Sequence, residues 1–256
     1  MKKFLGILPA AGKNTRLHPF KYPKELLPVH YHPADNGNKI VPKLVIEYSL
    51  TAMNLAAVDA CVLVVSDTKP EILRYLGDGS QANMRIGYIV QVQPLGLAHA
   101  VDQACQWASE FDCNCCLTLP DTIFEPCEAV SVIKNELLSK QADLVLGVFP
   151  TASPQTLGPV HVENGIVRAV FDKPTDTTLR NTWGVAAWTP RFSALLHEKF
   201  TAGGNEEVIL GEVFDEACKS GFNVRAVEFP HGLYQDLGTG NGLLGLGASE
   251  LVMELK

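Results

Sequence analysis

The sequence predicts an α/β fold: a Rossmann-like, doubly wound, mainly parallel sheet flanked by helices, with a smaller part in the C-terminal half. Two observations predict it. Short apolar runs alternate with segments of helical periodicity through the first 150 residues or so, and parallel strands buried on both faces read as such continuous runs. The first apolar run also ends directly in a loop of very small residues, Ala10, Ala11 and Gly12.

Taken in order, Phe4 to Leu8 is short and apolar enough for a buried strand. Leu44, Tyr48, Ala52 and Leu55 fall on one helical face. Ala60 to Val65 reads as a second buried strand, and Pro70 to Leu76 as a short helix with proline in its first turn. Met84 to Val90 is the next strand, followed by a helix marked by Leu97, Val101, Ala104 and Trp107. Cys115 to Leu119 and Leu144 to Phe149 repeat the strand pattern. Beyond Pro150 come shorter strand pieces, helices near 191–200 and 207–219, and a strand-like Val224 to Phe229. No repeat, linker or low-complexity tract interrupts the pattern. One domain over 1–256 is expected, with parts of about 1–150 and 151–256.

Composition narrows the function classes. A net charge of -7 argues against a general nucleic-acid or membrane surface. No run approaches the ~18 apolar residues of a membrane span. Pro9 ends the N-terminal apolar stretch too early for a secretory signal. Seven cysteines without paired zinc-type spacing fit a reducing, cytoplasmic setting, with Cys113, Cys115 and Cys116 as core residues.

The loop after the first strand carries the chemistry. Small side chains at Ala10, Ala11 and Gly12 leave backbone N–H groups open to an anion, and Arg16 and Lys24 follow closely with positive charge. That combination suggests a nucleoside triphosphate site. In an open parallel sheet, ligands bind outside the carboxyl ends of the strands. Gln91 and Gly96 follow one such end, Asp121 another, and Asp236 follows the last strand-like run. Two carboxylates meeting at one sheet edge suit Mg²⁺ bound against substrate phosphates. Taken singly, Asp121 suits a helix cap and Asp236 a turn.

In this order the motifs resemble those of the sugar-1-phosphate nucleotidylyltransferases, which include the glucose-1-phosphate thymidylyltransferases and the UTP–glucose-1-phosphate uridylyltransferases. Pro9-Ala10-Ala11-Gly12 with Thr15-Arg16, and Pro23-Lys24-Glu25-Leu26-Leu27-Pro28, are similar to the uridylyltransferases. Leu76 to Gln81, and Gln91 with Gly96-Leu97-Ala98, are similar to the thymidylyltransferases. Leu119 to Phe124, Phe171-Asp172-Lys173-Pro174 and Asp236-Leu237-Gly238-Thr239 resemble the family's metal and sugar-phosphate segments.

The resemblance implies a role for each matching residue. Ala10, Ala11, Gly12, Gln91 and Gly96 would bind the nucleotide. Arg16 and Lys24 would act on the phosphates, and Asp121 and Asp236 would hold Mg²⁺. Gly158, Asp172, Lys173 and Thr182 would bind the sugar phosphate. The implied reaction condenses UTP or dTTP with a sugar 1-phosphate, glucose 1-phosphate by default, and releases pyrophosphate. Relatives form homo-oligomers. Two alternatives accompany it: a non-catalytic nucleotide sensor on the same fold, and a cytidylyltransferase acting on a phospho-alcohol such as phosphocholine.

The chain departs from the family pattern at Asn14, where a glycine is usual, at Asp172, where a glutamate is usual, and in its short spacing from Arg16 to Lys24. Residues 31–43 read as a turn-rich insertion. Gly240-x-Gly242-x-x-Gly245 spells a dinucleotide fingerprint but lacks the strand and helix the mechanism needs, and His30 and His32 read as loop residues.

Overall fold

The computed structural model describes residues 2–12, 22–33, 40–93, 95–201 and 207–238. In chain order the elements begin with β1 (Phe4–Ala10), β2 (Pro28–Pro33), β3 (Ile40–Leu44), α1 (Val45–Leu55), β4 (Ala60–Val65), α2 (Pro70–Leu76), β5 (Ile86–Val90) and α3 (Leu97–Glu110). Then follow β6 (Asn114–Thr118), β7 (Thr122–Glu125), α4 (Ala129–Ser139), β8 (Leu144–Pro150), β9 (Val160–Glu163) and β10 (Ile166–Val170). The last are β11 (Asn181–Trp188), α5 (Pro190–Thr201), α6 (Leu210–Lys219), β12 (Val224–Glu228) and β13 (Leu233–Asp236).

Among the described residues, nine strands form one sheet in the order β5-β4-β1-β6-β11-β8-β12-β10-β9. The pairings make β10 and β11 run against the other strands, so the sheet is mainly parallel. Alternate side chains of each central strand supply two cores. On β1, Ile7 joins α3, α5 and α6 on one face, while Phe4 and Leu8 join α1, α2 and α4 on the other. Cys115 and Cys116 on β6 divide the same way, both fully buried. Burying a side chain such as Ile7 or Phe4 is worth ~1.5–3 kcal/mol, which explains why the inner strands read as unbroken apolar runs.

Strand order reverses at β1: β4 and β5 extend one way, β6 the other. That reversal opens a crevice at the carboxyl ends of β1 and β6, where open α/β sheets bind ligands.

The structure adds elements to the expected pattern. Residues 28–33 and 40–44 pair as an antiparallel ribbon, so the expected insertion begins and ends in strands; Asp35 and Asn38 lie outside the described residues. A helix over 129–139 buries Ala129, Val130, Ile133 and Leu137 as one stripe. β11 wedges antiparallel between β6 and β8. Its buried run carries no mark of direction, because direction is set by the partner strands rather than by side-chain type. β7 pairs with β13, with Asp236 opposite Thr122.

Candidate active site

The β7–β13 ribbon builds the centre of the site. Its register sets Asp236 next to Asp121, and the Leu237 N–H donates to the Asp121 carbonyl at 3.0 Å. Asp121 lies three residues past the end of β6 and immediately before β7, and both Asp121 and Asp236 line the crevice at the β1/β6 reversal. There Pro9, Ala11, Gly12, Gln91, Gly96, Leu97, Ala100, Leu119, Asp121, Leu157, Tyr234 and Asp236 enclose a cleft of about 270 Å³. This lies near the lower end of the ~300–1,000 Å³ typical of ligand pockets.

The strand order explains each contribution. Pro9 to Gly12 end and follow β1, and Gln91 follows β5. Gly96, at φ +91°, leads into α3, and a Cβ built there would fall 2.4 Å from Glu207 Oε1. Only glycine fits this turn without strain. Leu97 and Ala100, on the first turn and a half of α3, also line the cleft, so a helix N-terminus faces it, an arrangement that favours anions.

Beside the cleft lies a charged cluster. The Lys24 ammonium pairs with Asp121. Lys69, almost fully buried, donates 3.0 Å to the Ala10 carbonyl and 2.8 Å to Glu25 Oε1. It therefore ties the end of β1 to the turn that carries Lys24. Burial pushes the Glu25 carboxyl up, and Lys69 opposes that shift. Its second oxygen, Oε2, is buried without a hydrogen-bond partner among the described residues.

Tyr234 closes the carboxylate side. A Cβ at Gly184 would sit 2.5 Å from its ring, so glycine there makes room for it. Its hydroxyl bonds Thr122; burial above all, and then Asp236 and Asp121, hold its pKa well above the ordinary value. The phenol stays protonated beside the two acids.

The other sequence-predicted residues stand to one side. Lys173 N–H donates to the Leu157 carbonyl at 2.9 Å and Phe171 N–H to that of Pro159 at 3.0 Å, laying Phe171–Lys173 along Leu157–Pro159. Gly158 is packed under Trp183, where a Cβ would meet the indole Nε1 at 2.3 Å. Thr182 is buried, and its hydroxyl accepts from the Gly158 N–H at 3.3 Å and donates to the Trp183 carbonyl at 3.0 Å. Lys173 reaches Asp172 at 3.5 Å from an exposed turn. Of this group only the neighbouring Leu157 lines the cleft.

Thus the structure brings Ala11, Gly12, Gln91, Gly96, Asp121 and Asp236 to one space, with Ala10 and Lys24 bonded beside it. Arg16, Asn14, Thr239 and the 240–245 glycines lie outside the described residues. Sequence reasoning missed Lys69, Glu25 and Tyr234 as parts of the site. Lys69 had one usable signal, its place just before Pro70 in the loop that follows β4.

A family model described as Nucleotidyl transferase matches residues 5–250. The chain belongs to this family. A Neisseria gonorrhoeae protein named glucose-1-phosphate thymidylyltransferase is 31% identical over 186 residues, 70% of this chain. The chain spans 58% of that relative's length. A Bacillus anthracis structure described as a glucose-1-phosphate thymidylyltransferase, in complex with a sucrose, superposes with a TM-score of 0.80 at 18% identity, covering 96% of this chain and 94% of that one. A UDP-glucose pyrophosphorylase from Acinetobacter baumannii gives 0.74 at 20% identity, covering 96% and 92%. At such identities the likeness to this nucleotidyl transferase is one of fold.

Proposed function

We propose that the chain transfers a nucleotidyl group from UTP or dTTP to a sugar 1-phosphate, with glucose 1-phosphate the first acceptor to test, and releases pyrophosphate. The pairing of Asp121 with Asp236 at the β1/β6 crevice, beside Lys24, carries this proposal. A phosphate oxygen of the sugar phosphate attacks the α-phosphorus. The bond from that phosphorus to the bridging oxygen breaks, and the electron pair leaves with pyrophosphate. The nucleophile is already anionic, so positioning and charge neutralisation carry the chemistry, as in other phosphoryl transfers.

The donor set fits Mg²⁺: two carboxylates on one cleft wall, all oxygen. Such a site leaves coordination positions for water and substrate phosphates. When bound, the ion would neutralise triphosphate charge, held by Asp121 and Asp236. Lys24 neutralises Asp121 and stands ready for phosphate; Arg16 takes its phosphate role from the family resemblance. The α3 N-terminus favours the anion. Asp172 and Lys173 would meet the sugar phosphate, and Thr182 would hold Gly158 in place through its buried hydroxyl.

The test is pyrophosphate release with Mg²⁺, glucose 1-phosphate and each of UTP, dTTP, CTP, GTP and ATP. We expect turnover with UTP or dTTP, falling about 10²–10³-fold in Asp121→Asn and Asp236→Asn. A triphosphate that binds without turnover, across a panel of sugar phosphates and phosphocholine, would instead identify a sensor. Turnover confined to CTP and phosphocholine would identify the alternative transferase.

A further inference from the structure

Gln91 is 3% exposed, lines the cleft and follows the edge strand β5. Its amide Nε2 lies 2.7 Å from Nδ1 of His99, in the first turn of α3. Among the described residues its other amide atom, Oε1, makes no hydrogen bond. An amide nitrogen only donates, so this contact requires an unprotonated Nδ1 on His99. Amide orientation and imidazole tautomer are therefore locked together: an accepting Nδ1 holds the amide nitrogen and leaves the carbonyl oxygen for the cleft. The imidazole packs edge-on against Phe200, with ring centroids 5.4 Å apart, which steadies its plane.

We propose that His99 is a positioning residue that sets donor-base choice by orienting the Gln91 amide. This rests on the cleft being a nucleotide site, as proposed above. Uracil and thymine present an N3–H donor, which a carbonyl oxygen facing the cleft accepts. Cytosine presents a bare N3 at the same place, and two lone pairs then oppose each other. An amide held by an accepting histidine thus favours uracil or thymine over cytosine. A donor-only side chain at position 99 would draw Oε1 to itself and turn the amino group into the cleft, which suits cytosine.

The experiment compares kcat/KM for UTP or dTTP with that for CTP in the intact chain and in His99→Lys, His99→Gln and His99→Leu. The intact chain is expected to prefer UTP or dTTP. His99→Lys should lower the preference about 10-fold or more, the discrimination carried by a well-matched base contact. His99→Gln, which can still accept, should keep it within ~3-fold. His99→Leu frees the amide and should fall between them; it replaces the lysine variant if circular dichroism shows that variant unfolded. A purely structural role would lower all rates without moving the ratio. An unchanged ratio in His99→Lys or His99→Leu overturns this proposal alone. An intact chain that neither turns over nor binds any triphosphate overturns the nucleotide site itself, and this proposal with it.

Discussion

In the cleft wall and the cluster beside it, Gln91, Lys24, Glu25 and Lys69 are buried, and each is bonded to a neighbouring side chain or to backbone. To one side of the cleft, Asp172 and Lys173 sit on an exposed turn, with the Lys173 side chain 59% accessible. The first is built on the end of β5, the start of α2 and the buried turn that carries Lys24 and Glu25, the second on a connection between strands. The difference teaches where a site of this kind is rigid. Gln91 inherits its position from the end of β5 and Lys24 from the turn that Lys69 ties to β1, whereas the outer turn is laid along Leu157–Pro159 by two backbone hydrogen bonds. A rigid half suits a constant group such as a nucleotide, and an exposed half suits variable partners.

The sharpest way to break this comparison is at Lys69. Removing one partner of a buried ion pair leaves an uncompensated charge, so Lys69→Met should cost about 3–5 kcal/mol in urea unfolding. Adding Glu25→Leu should restore most of that loss, because neither charge of this pair then remains. Lys173→Met, in the exposed turn, should stay within ~0.5 kcal/mol. Equal losses at the two lysines would erase the contrast.

Glycine positions give the next largest effect. At Gly96 an alanine meets Glu207 and a left-handed φ, so Gly96→Ala should cost about 1–3 kcal/mol of stability. At Gly12 a Cβ meets nothing within 4 Å among the described residues, and Gly12→Ala should cost ~1 kcal/mol at most in the same denaturation series. The smallest effect is expected at the outer turn in binding: Lys173→Ala should raise the KM for sugar phosphate about 5–10-fold while turnover changes less, as measured by initial rates. A turnover rate reduced about 100-fold instead would move Lys173 into the rigid half.

Much of the inner half was legible. β4 and α2 occupy the residues their patterns predict, Ala60–Val65 and Pro70–Leu76, because an apolar run and a proline-led helix depend on local sequence. The strand-end rule led to Gln91, Asp121 and Asp236, since it ties a position in the chain to a place in the fold. β7 and β11 were not legible, because four residues or a direction-blind apolar run acquire meaning only from their partners. The α4 stripe was obscured by β-branched residues such as Val130, Val132 and Ile133, which suit strands as well. Lys69 and Glu25 lie 44 residues apart and His99 reaches back eight to Gln91, so their roles arise only from tertiary contact.

The wedged strand β11 also sets an order of events. While the chain is being synthesised, β6 and β8 exist long before residues 181–188, yet they meet only through β11. The nascent chain must keep those two strands, both buried in the finished sheet, without their shared neighbour until Trp188 has emerged. Asp236 then joins later still, when β13 zips onto β7. The carboxylate pair proposed to hold the metal is thus the last part to be assembled, and a polypeptide stopped near residue 150 would lack both β11 and β13.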